Sequence, residues 1–300
     1  MLKILRWLFV GCCFFSINNI ISNERKAVYT NQLNEHGERE IVIIIPSYNN
    51  KEWYERNLDS VVNQCYQNYS IIYVNDCSTD GTGELVAQYI KDRKLEHRIK
   101  LINNTKRKGA LANFYSAIYA SKDTSIIATI DGDDWLRHDK VLAIVNAAYD
   151  DQNVWLTYGN YTHYPYSKDS RSCCEEFPKK VMKKSMFREH HWVSAHLRTF
   201  YAFLFKNIKI DDLMHDGEFF PMTWDQAMML PMLEMCGNRF KFISEKIYVY
   251  NIDNPINDSK KDVRFQVFLE KLIHEKPKYN KLKKVKLISK VFLVNKKNTK

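Results

Sequence analysis

"SIIATIDGDDWL", residues 125–136, runs an apolar, β-branched segment straight into Asp131, Asp133 and Asp134. Three carboxylates in four positions repel one another and resist losing water. A chain that ends a buried strand on such a cluster needs a compensating positive charge, and a divalent metal ion is the first candidate. Magnesium and manganese take oxygen ligands and commonly keep positions open for phosphate oxygens. The alternative is a solvated acidic turn, or an Asp capping the next helix. Phosphatases with an aspartyl nucleophile also place Asp-x-Asp after a strand, but usually carry Thr or Val two residues after the second Asp. That position here is Trp135.

Working outward from the cluster, the same strand–polar-end pattern repeats. "IVIIIP" (41–46) is a continuous β-branched run suited to a strand buried on both faces. "SIIYVN" (70–75), "RIKLINN" (98–104) and "VWLTYGN" (154–160) predict further strands. Between them, apolar residues recur at helical spacing: Leu58, Val61 and Val62; Leu85, Val86, Tyr89 and Ile90; Leu111, Phe114 and Ile118; Val141, Leu142 and Val145. Alternating strand and helix predicts an α/β domain, a mostly parallel sheet with helices on both faces. In such sheets ligands bind beyond the carboxyl ends of the strands. Ser47-Tyr48-Asn49, Asp76 and Asp131 to Asp134 all sit at such ends and are expected to share one crevice.

Composition bounds the rest. The chain has 300 residues, 45% hydrophobic and 27% charged, enough for a sizeable core and unlike a disordered chain. Its net charge of +10 is concentrated: residues 256–300 hold 14 Lys plus Arg against 4 Asp plus Glu. The body is near neutral, which argues against a nucleic-acid partner. The seven cysteines (12, 13, 65, 77, 173, 174 and 236) show no CxxC pair and no framework spacing, so reduced thiols are expected, with Cys65 and Cys77 as core filler. Lys3 and Arg6 followed by an apolar run from Trp7 to Ile17 predict a signal peptide or membrane anchor over 1–22. A buried N-terminal helix is the third reading. The expected location is accordingly membrane-associated through this segment, with cytoplasmic or secretory as the alternatives. Residues 23–40 read as a linker and 256–300 as a basic tail. Val285, Ile288 and Phe292 fall near helical spacing among its lysines, either to lie on an anionic membrane surface or as a solvated terminus.

Taken in order, "IVIIIPSYNN", "IIYVNDCSTDGT", "NNTKRKGALANFYSAI" and "IATIDGDDWL" resemble the nucleotide-sugar domain of family-two glycosyltransferases, which have the GT-A Rossmann-like fold. The resemblance covers about residues 41–255, with a nucleotide-sugar half (41–160) and an acceptor half (161–255). It implies that Pro46, Ser47, Tyr48 and Asn49 line the nucleoside pocket and that Asp76 bonds the base, usually uracil. Asn75 stands where Asp is commoner, which leaves the base open. Lys108, Gly109 and Asn113 fall near nucleotide and sugar. Asp131 and Asp133 match the Asp-x-Asp pair, extended by Asp134, that holds Mg²⁺ or Mn²⁺ against the diphosphate.

The implied reaction is inverting transfer of one sugar to an acceptor hydroxyl of a glycan, lipid or protein. The processive members' Gln-x-x-Arg-Trp signature is absent. The family's base is usually the Asp of a Glu-Asp pair; here "MTWDQAMML" (222–230) offers Asp225, with Trp224 in the Glu position. Asp225 reads alternatively as a helix N-cap, since Met228, Met229 and Met232 follow at helical spacing. His196 and Arg198, in the apolar stretch 191–205, need partners if buried, and the diphosphate or acceptor is one source. "YVYNIDNPIND" (248–258) is expected to end the domain or close over the diphosphate. Two other readings stay open: a non-catalytic sugar-nucleotide binder on the same fold, and a nucleotidyltransferase. The latter is disfavoured by the lack of a Gly-rich, Arg-bearing loop after the first strand.

Overall fold

The computed structural model describes residues 27–166, 171–257, 260, 262–283 and 285–291. The expected signal peptide or anchor over 1–22 lies outside the described residues. In chain order the elements are β1 (Ala27–Leu33), β2 (Ile41–Ser47), α1 (Tyr54–Val62), β3 (Tyr69–Asn75), α2 (Thr82–Asp92), β4 (Ile99–Asn103), α3 (Ala110–Tyr119), β5 (Ile126–Thr129), β6 (Trp135–Leu136), α4 (Val141–Ala148) and β7 (Leu156–Tyr164). They continue with α5 (Lys179–Lys184), β8 (Arg198–Tyr201), α6 (Ala202–Lys206), β9 (Met214–His215), β10 (Glu218–Phe219), α7 (Trp224–Cys236), β11 (Phe240–Asn251), α8 (Val263–Glu275) and β12 (Val285–Val291).

The central sheet has eight strands in the order β4-β3-β2-β5-β8-β7-β11-β6. The β-branched runs supply its middle: every residue of β2 and β5 is buried, as continuous isoleucine-rich strands covered on both faces must be. The first four strands pair in parallel, as alternation with helices demands. The sequence reading missed β8, which inserts antiparallel between β5 and β7. Its residues, Arg198 to Tyr201, lie in a segment whose periodicity is masked by a continuous apolar run. Two-residue β6, just past the acidic cluster, pairs antiparallel with β11 and fixes the cluster's exit.

Three expectations about the ends change. Residues 27–33 of the expected linker form β1, paired in parallel with β12. Residues 285–291 of the expected tail are therefore strand, not helix; Phe292 lies outside the described residues. The domain also runs past 255, because α8 buries Leu269 and Ile273 completely or nearly so. Cys65 is exposed and Cys77 half-buried, so neither fills the core; Cys174 and Cys236 are the buried thiols, and all five described cysteines are free. Among the described residues no helix is long and apolar enough to cross a membrane.

Candidate active site

Beyond the carboxyl ends of β2 and β5 lies an open cleft of about 250 Å³. Of the residues singled out in the sequence, Pro46, Tyr48, Asp131, Asp133, His196, Arg198 and Asp225 line it. Residues from 46 to 225 thus meet in one pocket.

The acidic cluster divides its labour. Asp131 and Asp133 face the cleft, whereas Asp134 is wholly buried behind it. Tyr248 donates its hydroxyl to Asp134 Oδ2 at 2.8 Å, and the Asn251 backbone N–H donates to Oδ1 at 2.7 Å. Burial, with Asp133 and Asp131 beside it, pushes the Asp134 carboxyl well above the usual range. Asp134 therefore stitches the loop to β11, while its carboxylate stays within 4.8 Å of ligand atoms of Asp131 and His196, close enough for the three to share a cation. Gly132 separates the two cleft carboxylates; a Cβ there would meet Ser47 Cβ and Oγ and Asn50 Nδ2, all at 2.7 Å. Only glycine lets the acidic loop lie against the end of β2. The Asn254 side-chain amide donates to Asp133 Oδ2 at 2.7 Å and to Asn50 Oδ1 at 3.3 Å, tying the 251–257 turn to both strand ends.

On the opposite wall, Arg198 Nη2 donates to Asp225 Oδ2 at 2.9 Å. The Gln226 backbone N–H takes Oδ1 at 2.9 Å, so the carboxylate is held on both oxygens. Asp225 sits in the first turn of α7, one residue past its start at Trp224, and the N-cap position belongs to Thr223. The capping alternative is thus not realised. The Arg198 side chain is 3% exposed and its Nε is buried without a hydrogen-bond partner among the described residues. Burial opposes its charge, but the carboxylates of Asp225 and Asp131 outweigh that, so its pKa lies above the ordinary value. His196, also buried, stacks on Tyr248 (4.6 Å between centroids) and Tyr250 (5.3 Å). Burial, reinforced by Arg198, drops its pKa well below normal, so the imidazole is neutral. Arg198 is thus not the surface Arg that the apolar stretch also allowed, whereas His196 is a buried histidine that also borders the cleft.

The remaining predicted residues support the cleft from behind. Ser47 is buried, its Oγ accepting from Tyr73 and Asn50. Asn49 adopts φ 52° and accepts the Thr79 N–H, holding the turn after β3. Asp76 accepts backbone N–H groups of Lys108 at 2.9 Å and Gly109 at 2.8 Å, and the Asn104 amide at 2.8 Å. Asn104 also bonds Asn113. Asp76, Lys108, Gly109 and Asn113 thus form one knot that shapes the loop whose Arg107 and Ala110 line the cleft. Burial raises the Asp76 carboxyl, but the N–H donors from Lys108, Asn104 and Gly109, with the Asn113 amide nearby, together outweigh it, leaving a pKa below normal. Because the folded value is depressed, this stabilisation is present above the unfolded carboxylate range and is lost as pH falls through the folded value. The expected result is that Asp76→Asn costs about 1–3 kcal/mol at pH 7 and that its deficit against wild type shrinks on acidification in urea unfolding. A deficit independent of pH contradicts this account.

Sequence reasoning missed Asn50, Arg107, Trp224 and Gln266 as cleft residues, whereas Asn254 and Asn257 belong to the 248–258 segment expected to end the domain or close over the diphosphate. Arg107 had a signal, being flanked by basic residues inside a quoted motif; its guanidinium lies 3.9 Å from the Tyr48 ring centroid. Trp224 had been noted only for occupying a position where Glu is commoner.

With the geometry in place, comparison with known proteins gives a consistent answer. The sequence model described as "Glycosyl transferase family 2" matches residues 42–209. The chain belongs to glycosyltransferase family 2. Glycosyltransferase GlyA of Streptococcus pneumoniae is 28% identical over 128 residues, 43% of this chain and 18% of GlyA. The putative teichuronic acid biosynthesis glycosyltransferase TuaG of Bacillus subtilis is 32% identical over 101 residues, 34% of this chain and 38% of TuaG. The chain therefore spans well under half the length of these two relatives. Among solved structures, Staphylococcus aureus TarS 1–349 in complex with UDP-GlcNAc superposes with a TM-score of 0.58 at 17% identity, over 78% of this chain and 65% of TarS. That likeness establishes the GT-A fold for this family-2 chain.

Proposed function

We propose that this glycosyltransferase moves a single sugar from a UDP-sugar to an acceptor hydroxyl with inversion, using a divalent metal. The carrying observation is that Asp131, Asp133 and Asp225, distant in sequence, face one cleft. TarS, solved with UDP-GlcNAc on the same fold, supports the donor class.

The cleft carboxylates suit a hard cation: Asp131 and Asp133 offer oxygen, and Asn254 orients Asp133 by donating its amide N–H to Oδ2. A Mg²⁺ or Mn²⁺ ion bound there would neutralise the diphosphate charge that grows as the sugar bond breaks. Arg198 and Arg107 add fixed positive charge to the same cleft. Tyr48 and Pro46 give the nucleoside an apolar wall. The Trp224 ring, backed by Phe114 at 4.8 Å, gives the sugar a flat floor. Asp225 then removes the acceptor proton. Each of its oxygens accepts one bond in the structure, and an ionised carboxylate has about four lone-pair sites, so capacity remains. Neutral His196 contributes shape and a weak dipole without a competing charge.

The decisive measurement is donor hydrolysis with a panel of nucleotide-sugars, with and without Mn²⁺. Asp133→Ala is expected to remove Mn²⁺-dependent protection of the protein by UDP against thermal unfolding, while the metal-free melting temperature stays within a few degrees of wild type. Equal protection of the variant by UDP with Mn²⁺ refutes the metal assignment.

A further inference from the structure

Among the described residues, two groups of three His, Cys, Asp or Glu side chains bring their ligand atoms within 4.8 Å of one another. One is Asp131, Asp134 and His196, at the cleft. The other, Glu175 with His190 and His191, lies outside the cleft, on the segment that brackets α5. The local structure prepares these three side chains for a cation. His190 Nδ1 stands 2.9 Å from the His191 carbonyl oxygen. A carbonyl only accepts, so Nδ1 carries the proton and Nε2 keeps its lone pair. A backbone carbonyl on the other ring nitrogen is a usual partner of a metal-binding histidine, because it fixes the tautomer and the ring. Phe177 holds the His190 ring edge-on at 5.5 Å between centroids, and the His191 ring stacks on it at 4.2 Å. His191 Nε2 stands 2.9 Å from Glu175 Oε1. Glu175 is itself anchored through its backbone carbonyl, which accepts the Tyr158 hydroxyl of β7 at 2.9 Å.

We infer that Glu175, His190 and His191 form a second metal site, one that takes a zinc ion. Two imidazoles and one carboxylate are a ligand set that zinc accepts, at about 2.0–2.2 Å from each donor atom. Two ligands on a tetrahedral ion then stand about 3.3 Å apart, so the gap between His191 and Glu175 opens only slightly to admit it. The ion takes the place of the proton that lies between His191 Nε2 and Glu175 Oε1, and that proton goes to solvent. The side chains of His191 and Glu175 are 67% and 57% exposed, so an ion reaches them from solvent. Three protein ligands leave a fourth position to water. Imidazole nitrogens set this site apart from Asp131 and Asp133, whose oxygens suit magnesium or manganese. A bound ion clips residue 175 to residues 190 and 191 and closes the chain around α5 into a loop. The clip pins the segment that leads into β8, and with it the approach to His196 and Arg198.

The test is calorimetric titration of Zn²⁺ into the untagged full chain, stripped with EDTA and held in excess Mg²⁺ to occupy the oxygen sites. Losing a metal ligand costs at least what losing its hydrogen-bonded partner does, about 10–100-fold in affinity. Wild type is therefore expected to show a zinc-binding event that His190→Gln/His191→Gln, and separately Glu175→Gln, weaken at least about tenfold. Asp131→Ala is expected to keep that event. Saturating Zn²⁺ is expected to raise the melting temperature of wild type by several degrees, and that rise is expected to disappear in both site variants. Glu175 is exposed, so its variant reads the site even where the histidine pair also contributes packing. The proposal is overturned if wild type shows no zinc event, or if the event survives at full strength in either site variant. It is equally overturned if Asp131→Ala abolishes the event, which assigns the ion to the cleft.

Discussion

Asp225→Asn is expected to cut transfer by about 10² to 10⁴-fold while leaving donor affinity within a few-fold of wild type. Asparagine has nearly the shape of aspartate and keeps an oxygen for the Gln226 N–H or for Arg198. What it lacks is a site basic enough to take the acceptor proton as the hydroxyl attacks. Donor binding is expected to stay because the residues proposed to hold the nucleotide, Pro46, Tyr48, Asp131 and Asp133, line other parts of the cleft. Losing the Asp225 anion also leaves Arg198 without the carboxylate at 2.9 Å, so its charge is freer to meet a diphosphate. The check is paired: single-turnover transfer, or donor hydrolysis where water is the acceptor, alongside UDP binding by calorimetry. Transfer at the wild-type rate excludes Asp225 as the base. Loss of UDP binding together with transfer assigns it to the donor site instead.

The largest stability effect is expected at Arg188, far from any reacting atom. Its Nε and Nη2 donate to Glu234 Oε1 at 2.7 Å and Oε2 at 3.0 Å, with side chains 3% and 0% exposed. The third nitrogen, Nη1, donates to the Ile273 carbonyl near the end of α8. One guanidinium therefore joins the segment before β8 to α7 and α8, the helices that carry Asp225 and Gln266. Arg188→Ala leaves Glu234 buried with the Tyr279 N–H, 2.9 Å from its Oε2, as a remaining donor. Breaking a buried pair by removing one partner costs about 3–5 kcal/mol, which for a chain of this size lowers the melting temperature by roughly 10 °C. Replacing both partners, Arg188→Met with Glu234→Leu, is expected to recover most of that loss, because no uncompensated charge remains. Equal destabilisation by the single and double variants would point to lost packing rather than a stranded charge. Denaturant unfolding followed by circular dichroism separates these results.

These two residues also show where the sequence was readable. Asp225 was legible because a motif of fixed order places a carboxylate before a Met-rich helix. Arg188 and Glu234 carry no local pattern; they are 46 positions apart, and only packing of α7 against the preceding segment makes them partners. The same contrast divides the acidic cluster. Three adjacent aspartates read alike in a string. Tyr248 and Asn251 of β11 take one of them out of the cleft, and that selection depends on β6 pairing with β11 across more than a hundred residues. Asp76 was placed in the right neighbourhood, yet its carboxylate is spent on the loop of Lys108 and Gly109, a use that becomes visible only when the loop's backbone is seen.

The sequence by itself determined the parallel half of the sheet and the polar ends that face one way. Continuous β-branched runs have no other economical way to be buried, and alternation with helices leaves one hand of connection. Tertiary structure alone decided that β8 would enter antiparallel beside β5, setting Arg198 against Asp225 and His196 against the tyrosines of β11. It also decided that α8 belongs to the domain. Both outcomes rest on pairings between segments far apart in the chain, where hydrogen bonding and burial are shared and no single stretch carries the signal.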